Sequence, residues 1–206
     1  TRLRSAIPTI LALRDAGAKI ILMSHFGRPK GKPSPALSLE FLTQPLAALI
    51  GAPVKFCASS VGPNVLALSR SMNAGDILLL ENTRFHPGET QNDDEFAKEL
   101  ATLGDIFVHD AFSAAHRAHA SSHGIAKHIP AYAGLAMARE LDHLSQALDS
   151  PQTPVLAVVG GAKVSTKIDL LQNLVTKLDM LVIGGGMANT FLAAKGYSMG
   201  KSLCEH

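Results

Sequence analysis

Residues 76–86 read DILLLENTRFH, a short apolar run that leads directly into an arginine and a histidine. The run predicts a buried strand over 76–81, followed by a polar loop. The segments KIILMSHFGR at 19–28 and IFVHDAFSAAHR at 106–117 have the same organisation. Helical patterns and short apolar strands alternate around them, which predicts a doubly wound parallel sheet. The predicted helices cover 1–15, 38–50, 61–72 and 92–103, and a further strand covers 53–57.

A second strand–loop–helix series follows a long amphipathic helical pattern at 134–149. VLAVVGGAKVSTK at 155–167 and MLVIGGG at 180–186 each place an apolar strand before glycines, with a helix between them that ends near Leu178. We therefore predict an α/β protein with two Rossmann-like, doubly wound parallel-sheet domains and a boundary at the long helix. The first series opens without a strand and the second has only two strands, so we expect both domains to be incomplete.

Composition excludes several classes of protein. The 206 residues are 47% apolar and 17% charged, which is ordinary for a folded α/β protein. A net charge of +2 argues against a general nucleic-acid binder. No apolar run approaches the roughly 20 residues of a membrane span, and no signal-peptide pattern opens the chain. The two cysteines lie outside any CxxC motif, so we predict reduced thiols and a cytoplasmic protein without nucleic-acid or membrane partners.

Basic side chains follow three of the predicted strands. His25 and Arg28 come after the first strand, Arg84 and His86 after the strand at 76–81, and His116 and Arg117 after the strand near 106–108. Ligands of an open parallel sheet bind at the carboxyl ends of its strands. We therefore expect these loops to converge on one cleft that selects a small, highly anionic substrate.

Five histidines lie in the run HDAFSAAHRAHASSHGIAKH at 109–128. On a helix, the spacing of His116, His119 and His123 would place imidazoles on one face, as in a zinc site. Arg117 lies among them, however, and a fixed positive charge opposes metal binding. We therefore favour an anion cluster with His116 and Arg117 at its centre, and we assign the other histidines of the run to background packing or surface positions.

Two glycine-ended strands form another candidate site. Gly160-Gly161 would let a ligand approach the backbone closely. Lys163 and Lys167 are four residues apart, so at a helix start they would share a face and bracket phosphates. The GxxxxGK[ST] spacing of a Walker A motif is missing. Two alternatives stay open here: a dinucleotide-dependent oxidoreductase, against which the missing GxGxxG motif counts, and a non-enzymatic anion-binding module.

Five separated motifs together resemble the phosphoglycerate kinase family. In chain order they are SHFGRP, LLENTRFH, HDAFSAAHRAHAS, GGAKVSTKIDLL and VIGGGMANTFL. The resemblance implies a phosphoglycerate-binding domain over 1–133, an interdomain hinge helix over 134–150 and the start of a nucleotide-binding domain over 151–206. It also implies a monomeric glycolytic or gluconeogenic kinase that transfers a phosphoryl group between 1,3-bisphosphoglycerate and ADP, with 3-phosphoglycerate and ATP as the other pair.

The resemblance also implies roles for individual residues. The catalytic set is Arg2, Lys163 and Lys167. The substrate-binding set is Arg2, His25, Phe26, Gly27, Arg28, Arg84, His116 and Arg117. The nucleotide-binding set is Gly161, Ala162, Lys163, Lys167, Gly185 and Gly186. Mg²⁺ would accompany ATP or ADP, and its protein ligand is expected beyond this chain, so no metal ligand is assigned within it.

The sequence departs from the family pattern at a few positions. Ser113-Ala114 replaces the more usual Gly-Thr, and Arg139 stands where Lys is frequent. The family's first strand would precede Thr1 and the rest of the nucleotide domain would follow His206. We therefore expect this chain to be about half of the enzyme and to be inactive alone.

Overall fold

A computed structural model describes residues 2–149 and 151–205, with the side chain of Arg2 outside the described part. The strands are β1 (Ile20–Leu22), β2 (Val54–Cys57), β3 (Ile77–Leu80), β4 (Phe107–His109), β5 (Ala131–Ala133), β6 (Leu156–Gly160) and β7 (Met180–Gly184). The helices are α1 (Arg2–Asp15), α2 (Thr43–Ile50), α3 (Pro63–Arg70), α4 (Gly88–Gln91), α5 (Asp94–Ala101), α6 (Phe112–Ala115), α7 (Leu135–Leu148), α8 (Ile168–Val175) and α9 (Gly185–Ala194).

Strand β3 lies at the centre of a three-stranded parallel sheet with the order β1-β3-β2. Its residues alternate between two cores because successive side chains point to opposite faces of a strand. Ile77 and Leu79 pack with apolar residues of α1 and α2, whereas Leu78 and Leu80 pack with Val65 of α3. Helices therefore cover both faces of the sheet. This arrangement confirms the predicted doubly wound parallel sheet.

Strands β4 and β5 form a second parallel pair, in which Phe107 lies opposite Ala131. Phe107 packs on Phe96 and Leu100 of α5. Helix α5 begins at Asp94, two residues later than predicted, because the Asp93 carboxylate caps it by accepting a 2.8 Å hydrogen bond from the Phe96 amide. Strand β5 was not predicted, since Ala131–Ala133 is short, exposed and without an apolar run.

The first turn of α7 is tied to the end of β4 through Asp110. Its Oδ1 accepts hydrogen bonds from the amides of Ala136 at 2.8 Å and Met137 at 3.0 Å. Thr9 of α1 donates its hydroxyl to Asp110 Oδ2 at 2.7 Å and accepts from the Leu135 amide at 3.0 Å. A carboxylate at a helix N-terminus also interacts favourably with the helix dipole. The start of the helix is thereby fixed to two other elements.

Contacts between residues divide the chain into two units, Thr1–Glu140 and Leu141–His206, with the division inside α7. In the second unit β6 and β7 pair in parallel from Leu156 opposite Met180 to Gly160 opposite Gly184. The predicted α/β class with parallel strands is thus found in both units. Within the described residues, no helix is both long enough and apolar enough to cross a membrane.

Candidate functional site

The loop after β1 is held against the end of β3 by Asn82, whose side chain is fully buried. Its Nδ2 donates to the carbonyls of Phe26 at 2.8 Å and Leu37 at 2.9 Å, and its Oδ1 accepts from the Arg84 amide at 3.1 Å. Both amide hydrogens and the carbonyl oxygen of this side chain therefore have partners. Two loops that the sequence predicts to be close are joined by direct hydrogen bonds.

Glu81 fixes the same loop from the other side. Its Oε1 accepts from the amides of Leu39 at 2.9 Å and Asn82 at 2.7 Å, and its Oε2 accepts from the Ser38 hydroxyl at 2.7 Å. A buried carboxylate is tolerated when several hydrogen bonds compensate its lost hydration. The two residues that follow β3 therefore bind the loop rather than a ligand.

Gly27 has a left-handed backbone with φ of +65°. A Cβ at this position would lie 2.7 Å from Leu37 Cδ2, so a larger residue would have to displace the Leu37 side chain. The Gly27 carbonyl accepts a 2.9 Å hydrogen bond from Arg84 Nη1. The glycine turn therefore helps to orient the guanidinium.

Arg84 lies within electrostatic range of the guanidinium groups of Arg117 and Arg28. Burial, Arg117 and Arg28 lower the pKa of Arg84, while the Glu89 carboxylate opposes this shift. The Nε of Arg84 is buried without a hydrogen-bond partner among the described residues. Three arginines from loops far apart in sequence are thus close enough to repel one another, and an anion would relieve this repulsion.

His116 and Arg117 form the adjoining part of the cluster. His116 is exposed at the end of α6, and Arg117 is half-buried next to it. Arg117 Nε donates to His116 Nε2 at 3.2 Å. This contact requires an unprotonated His116 Nε2, so an anion that attracts Arg117 would compete with the imidazole for the guanidinium.

His119 lies beside this cluster, although the sequence pattern assigned it to background. Its Nδ1 lies 3.8 Å from Glu89 Oε1. Burial lowers the pKa of His119, Arg84, Arg117 and His116 lower it further, and Glu89 opposes them. The helix that would align His119 with His116 does not form, because α6 ends at Ala115 and His119 precedes a π-helical turn over Ala120–Gly124. The spacing of His116 and His119 in the sequence does not indicate this interruption of the helix.

Other histidines have structural partners. His128 Nε2 lies 2.8 Å from Asp94 Oδ1. His86 stacks on Phe96 with ring centroids 3.9 Å apart and accepts from the Gly88 amide. In the part of the chain that the structure describes, no group of three or more His, Cys, Asp or Glu could hold a metal ion.

Glu89 lies beside the basic cluster, and sequence reasoning did not single it out. It is 1% exposed, and its carboxylate accepts from the Ser121 amide at 3.0 Å and the Ser121 hydroxyl at 2.6 Å. These two residues lie 32 positions apart, and no periodicity relates them. Only the three-dimensional approach of α4 to the π-helical turn brings the carboxylate beside the basic cluster.

The remaining residues of the first loop are more open to solvent. His25 is half-buried, Arg28 is exposed, and Phe26 is 44% exposed. The Phe26 ring lies 5.5 Å from that of Phe41, at one wall of an open depression of about 620 Å³. The three arginines do not line this depression. Phe26 therefore lies at the border between the basic cluster and an apolar surface.

The two glycine-ended strands of the second unit meet backbone to backbone. A Cβ on Gly185, whose φ is +64°, would lie 3.1 Å from the Gly161 carbonyl oxygen. A Cβ on Gly186 would lie 3.0 Å from the oxygen of Ala162. The Met187 amide donates to the Gly161 carbonyl at 2.9 Å. The structure therefore brings together Gly161, Ala162, Gly185 and Gly186, which the family resemblance placed in one nucleotide-binding set.

The expected helical relation between Lys163 and Lys167 is wrong. Helix α8 begins at Ile168, and Lys167 caps it with a non-helical backbone. The turn before it is held by Glu205, whose carboxylate accepts from the Ser165 amide at 2.9 Å and hydroxyl at 2.5 Å. These bonds to Ser165 are the main cause of the lowered pKa of Glu205, to which Lys163 adds. Lys163 and Lys167 therefore lie on a turn that is stabilised by Glu205, which is distant in sequence but bound to Ser165.

Arg2, the remaining predicted site residue, begins α1, and its side chain lies outside the described part. Comparison with known families now bears on the whole set. A family model described as phosphoglycerate kinase matches residues 1–206. The chain belongs to the phosphoglycerate kinase family. The resemblance drawn from the five motifs is thereby confirmed.

Relatives of known name agree with this assignment. The chain is 60% identical to phosphoglycerate kinases of Caulobacter vibrioides (strain NA1000 / CB15N) and Maricaulis maris (strain MCS10), each over 205 residues. The solved structure of phosphoglycerate kinase from Coxiella burnetii is 44% identical and superposes with a TM-score of 0.84 over 100% of this chain. The chain spans 52%, 51% and 51% of these three proteins, which is about half their length.

The departure from the phosphoglycerate kinase pattern at Ser113-Ala114 lies within α6, directly before the basic pair. The Arg117 amide donates to the Ala114 carbonyl at 3.1 Å. Because this bond uses only the backbone, it does not depend on the side chain at 114. The substitution therefore leaves the turn that presents Arg117 in place.

Proposed function

We propose that the protein catalyses the phosphoglycerate kinase reaction, the reversible transfer of a phosphoryl group from 1,3-bisphosphoglycerate to ADP, in glycolysis or gluconeogenesis. The observation that carries this proposal is the electrostatic repulsion of the half-buried Arg84 by Arg117 and Arg28, three guanidinium groups from separate loops. Mutual repulsion makes such a cluster costly without an anion, and phosphate or carboxylate oxygens would relieve it.

On the phosphoglycerate side, we assign the three arginines to the phosphate end of the substrate. His25 and His116 would donate hydrogen bonds, and Phe26 and Gly27 would shape the loop. The unpartnered Arg84 Nε supports this assignment because a buried donor gains most from an acceptor supplied by a ligand. Arg2 is assigned to the transferring group on the family resemblance alone.

On the nucleotide side, we assign the adenine region to the two glycine exits of β6 and β7. The residues are Gly161, Ala162, Gly185 and Gly186, whose backbones approach within van der Waals contact of one another. Lys163 and Lys167 would contact the phosphates from the turn before α8. A cation on a loop beside a helix N-terminus is a common arrangement for binding phosphates.

Mg²⁺ is proposed to arrive with ATP or ADP. The described residues do not supply a cluster of carboxylates or imidazoles for it. Mg²⁺ in phosphotransfer sites is commonly held by substrate phosphates, water and one or two carboxylates. We therefore assign none of the described residues to the ion.

The chemical work proposed for this chain is positioning and charge neutralisation, which dominate catalysis of phosphoryl transfer. Lys167 and Arg2 would neutralise the charge that develops on the transferring group. Lys163 would hold the nucleotide phosphates. No side chain needs to form a covalent bond with the substrate.

The remaining proposals concern organisation. We assign the phosphoglycerate domain to 1–133, the hinge helix to 134–150 and the nucleotide domain to 151–206, in a monomeric cytoplasmic protein. Since the chain spans about half of its relatives, we propose that these 206 residues bind phosphoglycerate but do not complete turnover. ATP formation by the 206 residues would contradict that proposal.

Isothermal titration with 3-phosphoglycerate and, separately, MgADP tests the two sites. Arg117→Ala should weaken phosphoglycerate binding by about 10-fold or more, because a charged hydrogen bond is lost. Arg70→Ala, which removes an exposed arginine of α3, is the matched control and should not change binding. Equal affinities of the two variants would remove Arg117 from the substrate site.

In the intact enzyme, Lys167→Ala should lower kcat far more than it raises KM for phosphoglycerate, because the interaction is strongest in the transition state. Lys177→Ala removes an exposed lysine after the same helix and serves as its control. A near-normal kcat in the Lys167 variant would refute the role given to this residue.

A further inference from the structure

Glu89 is a buried acid at the edge of a basic cluster, and its chemistry is not explained by the substrate contacts proposed above. It is 1% exposed on the four-residue helix α4. Burial of an ionised carboxylate is unfavourable unless hydrogen bonds and positive charges compensate it. The two hydrogen bonds from Ser121 and the nearby Arg84 guanidinium provide this compensation.

The segment that Glu89 holds also carries two members of the cluster. Ser121 is the residue held by the carboxylate, and the next residue, Ser122, has a hydroxyl that lies 3.1 Å from the Arg117 carbonyl and 3.3 Å from the His119 carbonyl. Consecutive serines therefore link α4 to the backbone of the basic segment. A shift at Ser121 would be transmitted to both Arg117 and His119.

Close packing leaves this segment little freedom to adjust. A Cβ on Gly124 would lie 2.8 Å from Ala97 Cβ and 2.9 Å from Asn92 Oδ1. Ala120 is fully buried in the core formed with α5. The turn over Ala120–Gly124 is thus fixed by the packing of Ala120 and Gly124 at its ends and by the hydrogen bonds from Ser121 to the Glu89 carboxylate.

Resting on the proposed function, we infer that Glu89 is a positioning residue of the phosphoglycerate site. Its carboxylate holds Ser121 and thereby sets the backbone that presents Arg117 and His119 next to Arg84. It does not touch the substrate. Its negative charge also reduces the mutual repulsion of the cluster before an anion binds, since Glu89 opposes the effect of the neighbouring guanidinium groups on Arg84.

Three variants separate the hydrogen bonds of Glu89 from its charge. Glu89→Ala removes both and should weaken 3-phosphoglycerate binding by about 10-fold. Glu89→Gln keeps an acceptor for the Ser121 amide and should bind within about threefold of the unmodified chain. If Glu89 acts through Ser121, the double variant Glu89→Ala/Ser121→Ala should bind 3-phosphoglycerate no more weakly than Glu89→Ala alone. The effects of substituting two residues that form one hydrogen-bonded contact do not add.

The titration of His119, followed by NMR of its imidazole, gives a readout that a purely structural role would not move. Glu89→Gln should lower the pKa of His119, since the carboxylate 3.8 Å away stabilises the imidazolium. The other charged groups facing this imidazole are Arg84, Arg117 and His116, and all three disfavour its protonation. Glu99→Gln removes the same charge from an exposed position of α5 and should leave the pKa unchanged.

Isothermal titration of the full chain with 3-phosphoglycerate decides between the outcomes. If the unmodified chain binds and Glu89→Ala binds equally well, the positioning role is wrong while the proposed function stands. If the unmodified chain does not bind, the proposed function fails and the positioning role fails with it. An unchanged pKa of His119 in Glu89→Gln would also overturn the inference, and because this variant preserves the shape of the side chain, that test does not depend on Glu89→Ala folding.

Discussion

Replacement of Asn82 by alanine tests the connection between the two loops of the anion site. The side chain makes three hydrogen bonds, with the carbonyls of Phe26 and Leu37 and with the Arg84 amide. At about 1 kcal/mol for each net hydrogen bond, Asn82→Ala should lower the free energy of unfolding by about 3 kcal/mol. With an m-value of about 2 kcal/mol/M, the urea midpoint should fall by about 1.5 M.

The measurement is urea unfolding followed by circular dichroism, together with titration of 3-phosphoglycerate at low urea. Asn82→Asp keeps the shape but loses the two N–H donors and places a carboxylate against two carbonyls, so it should destabilise at least as much as alanine. Asn73→Ala, at an exposed position before β3, is the control and should change stability by less than about 0.5 kcal/mol. A loss below 1 kcal/mol in Asn82→Ala would show that the loop does not depend on this side chain.

The other predictions address the cluster, its turn and the helix it adjoins. Because burial keeps the pKa of His119 below its usual value and a bound anion favours the imidazolium, binding of 3-phosphoglycerate should take up protons and become tighter as the pH falls toward about 6.5. Calorimetry in buffers of different ionisation enthalpy measures this proton uptake. The uptake should be smaller in His119→Asn than in the unmodified chain, and the comparison of the two proteins cancels the titration of the ligand itself. Identical uptake by the two proteins would contradict this prediction. Gly27→Ala should cost about 1–2 kcal/mol because the residue is left-handed, and it should also weaken phosphoglycerate binding by displacing Leu37. Unchanged melting and binding would show that the turn relaxes freely. Asp110→Ala should cost about 1–2 kcal/mol and accelerate hydrogen exchange of the first amides of α7, which it caps. Exchange at the wild-type rate would show that Thr9 suffices.

The strands were predictable because their apolar runs are strong and bounded by polar residues. The runs at β3 and β6 predict strands that end at basic or glycine-rich loops, and parallel pairing then brings those loops together. The predicted burial holds for β3, whereas residues of β6 alternate between exposed and half-buried. Helix α4 and strand β5 were missed because they are too short to show a period and, unlike the equally short β1 and β4, they lack a run of branched apolar residues. Their positions depend on tertiary packing rather than on local pattern.

The same distinction applies to the site. Arginines after strands could be predicted to converge, because sheet topology alone brings strand ends together. The residues that orient these arginines could not be predicted, since the hydrogen bond from Ser121 to Glu89 joins residues with no shared motif. The pair Lys163 and Lys167 illustrates the opposite error, because a spacing of four predicts one helical face only where a helix forms. There the chain turns, and a carboxylate 40 residues from Ser165 holds the turn.

The central position of β3 has a kinetic consequence. All four of its residues are buried, and it is bonded to a strand on each side. Amides in such a strand are expected to exchange only when the whole unit unfolds. Arg84 therefore follows closely on a segment that is expected to open only with the whole unit, whereas Arg28 is exposed on the loop after β1. Through the hydrogen bonds of Asn82 to the carbonyls of Phe26 and Leu37, local opening of the loop after β1 is linked to the residues directly following this strand.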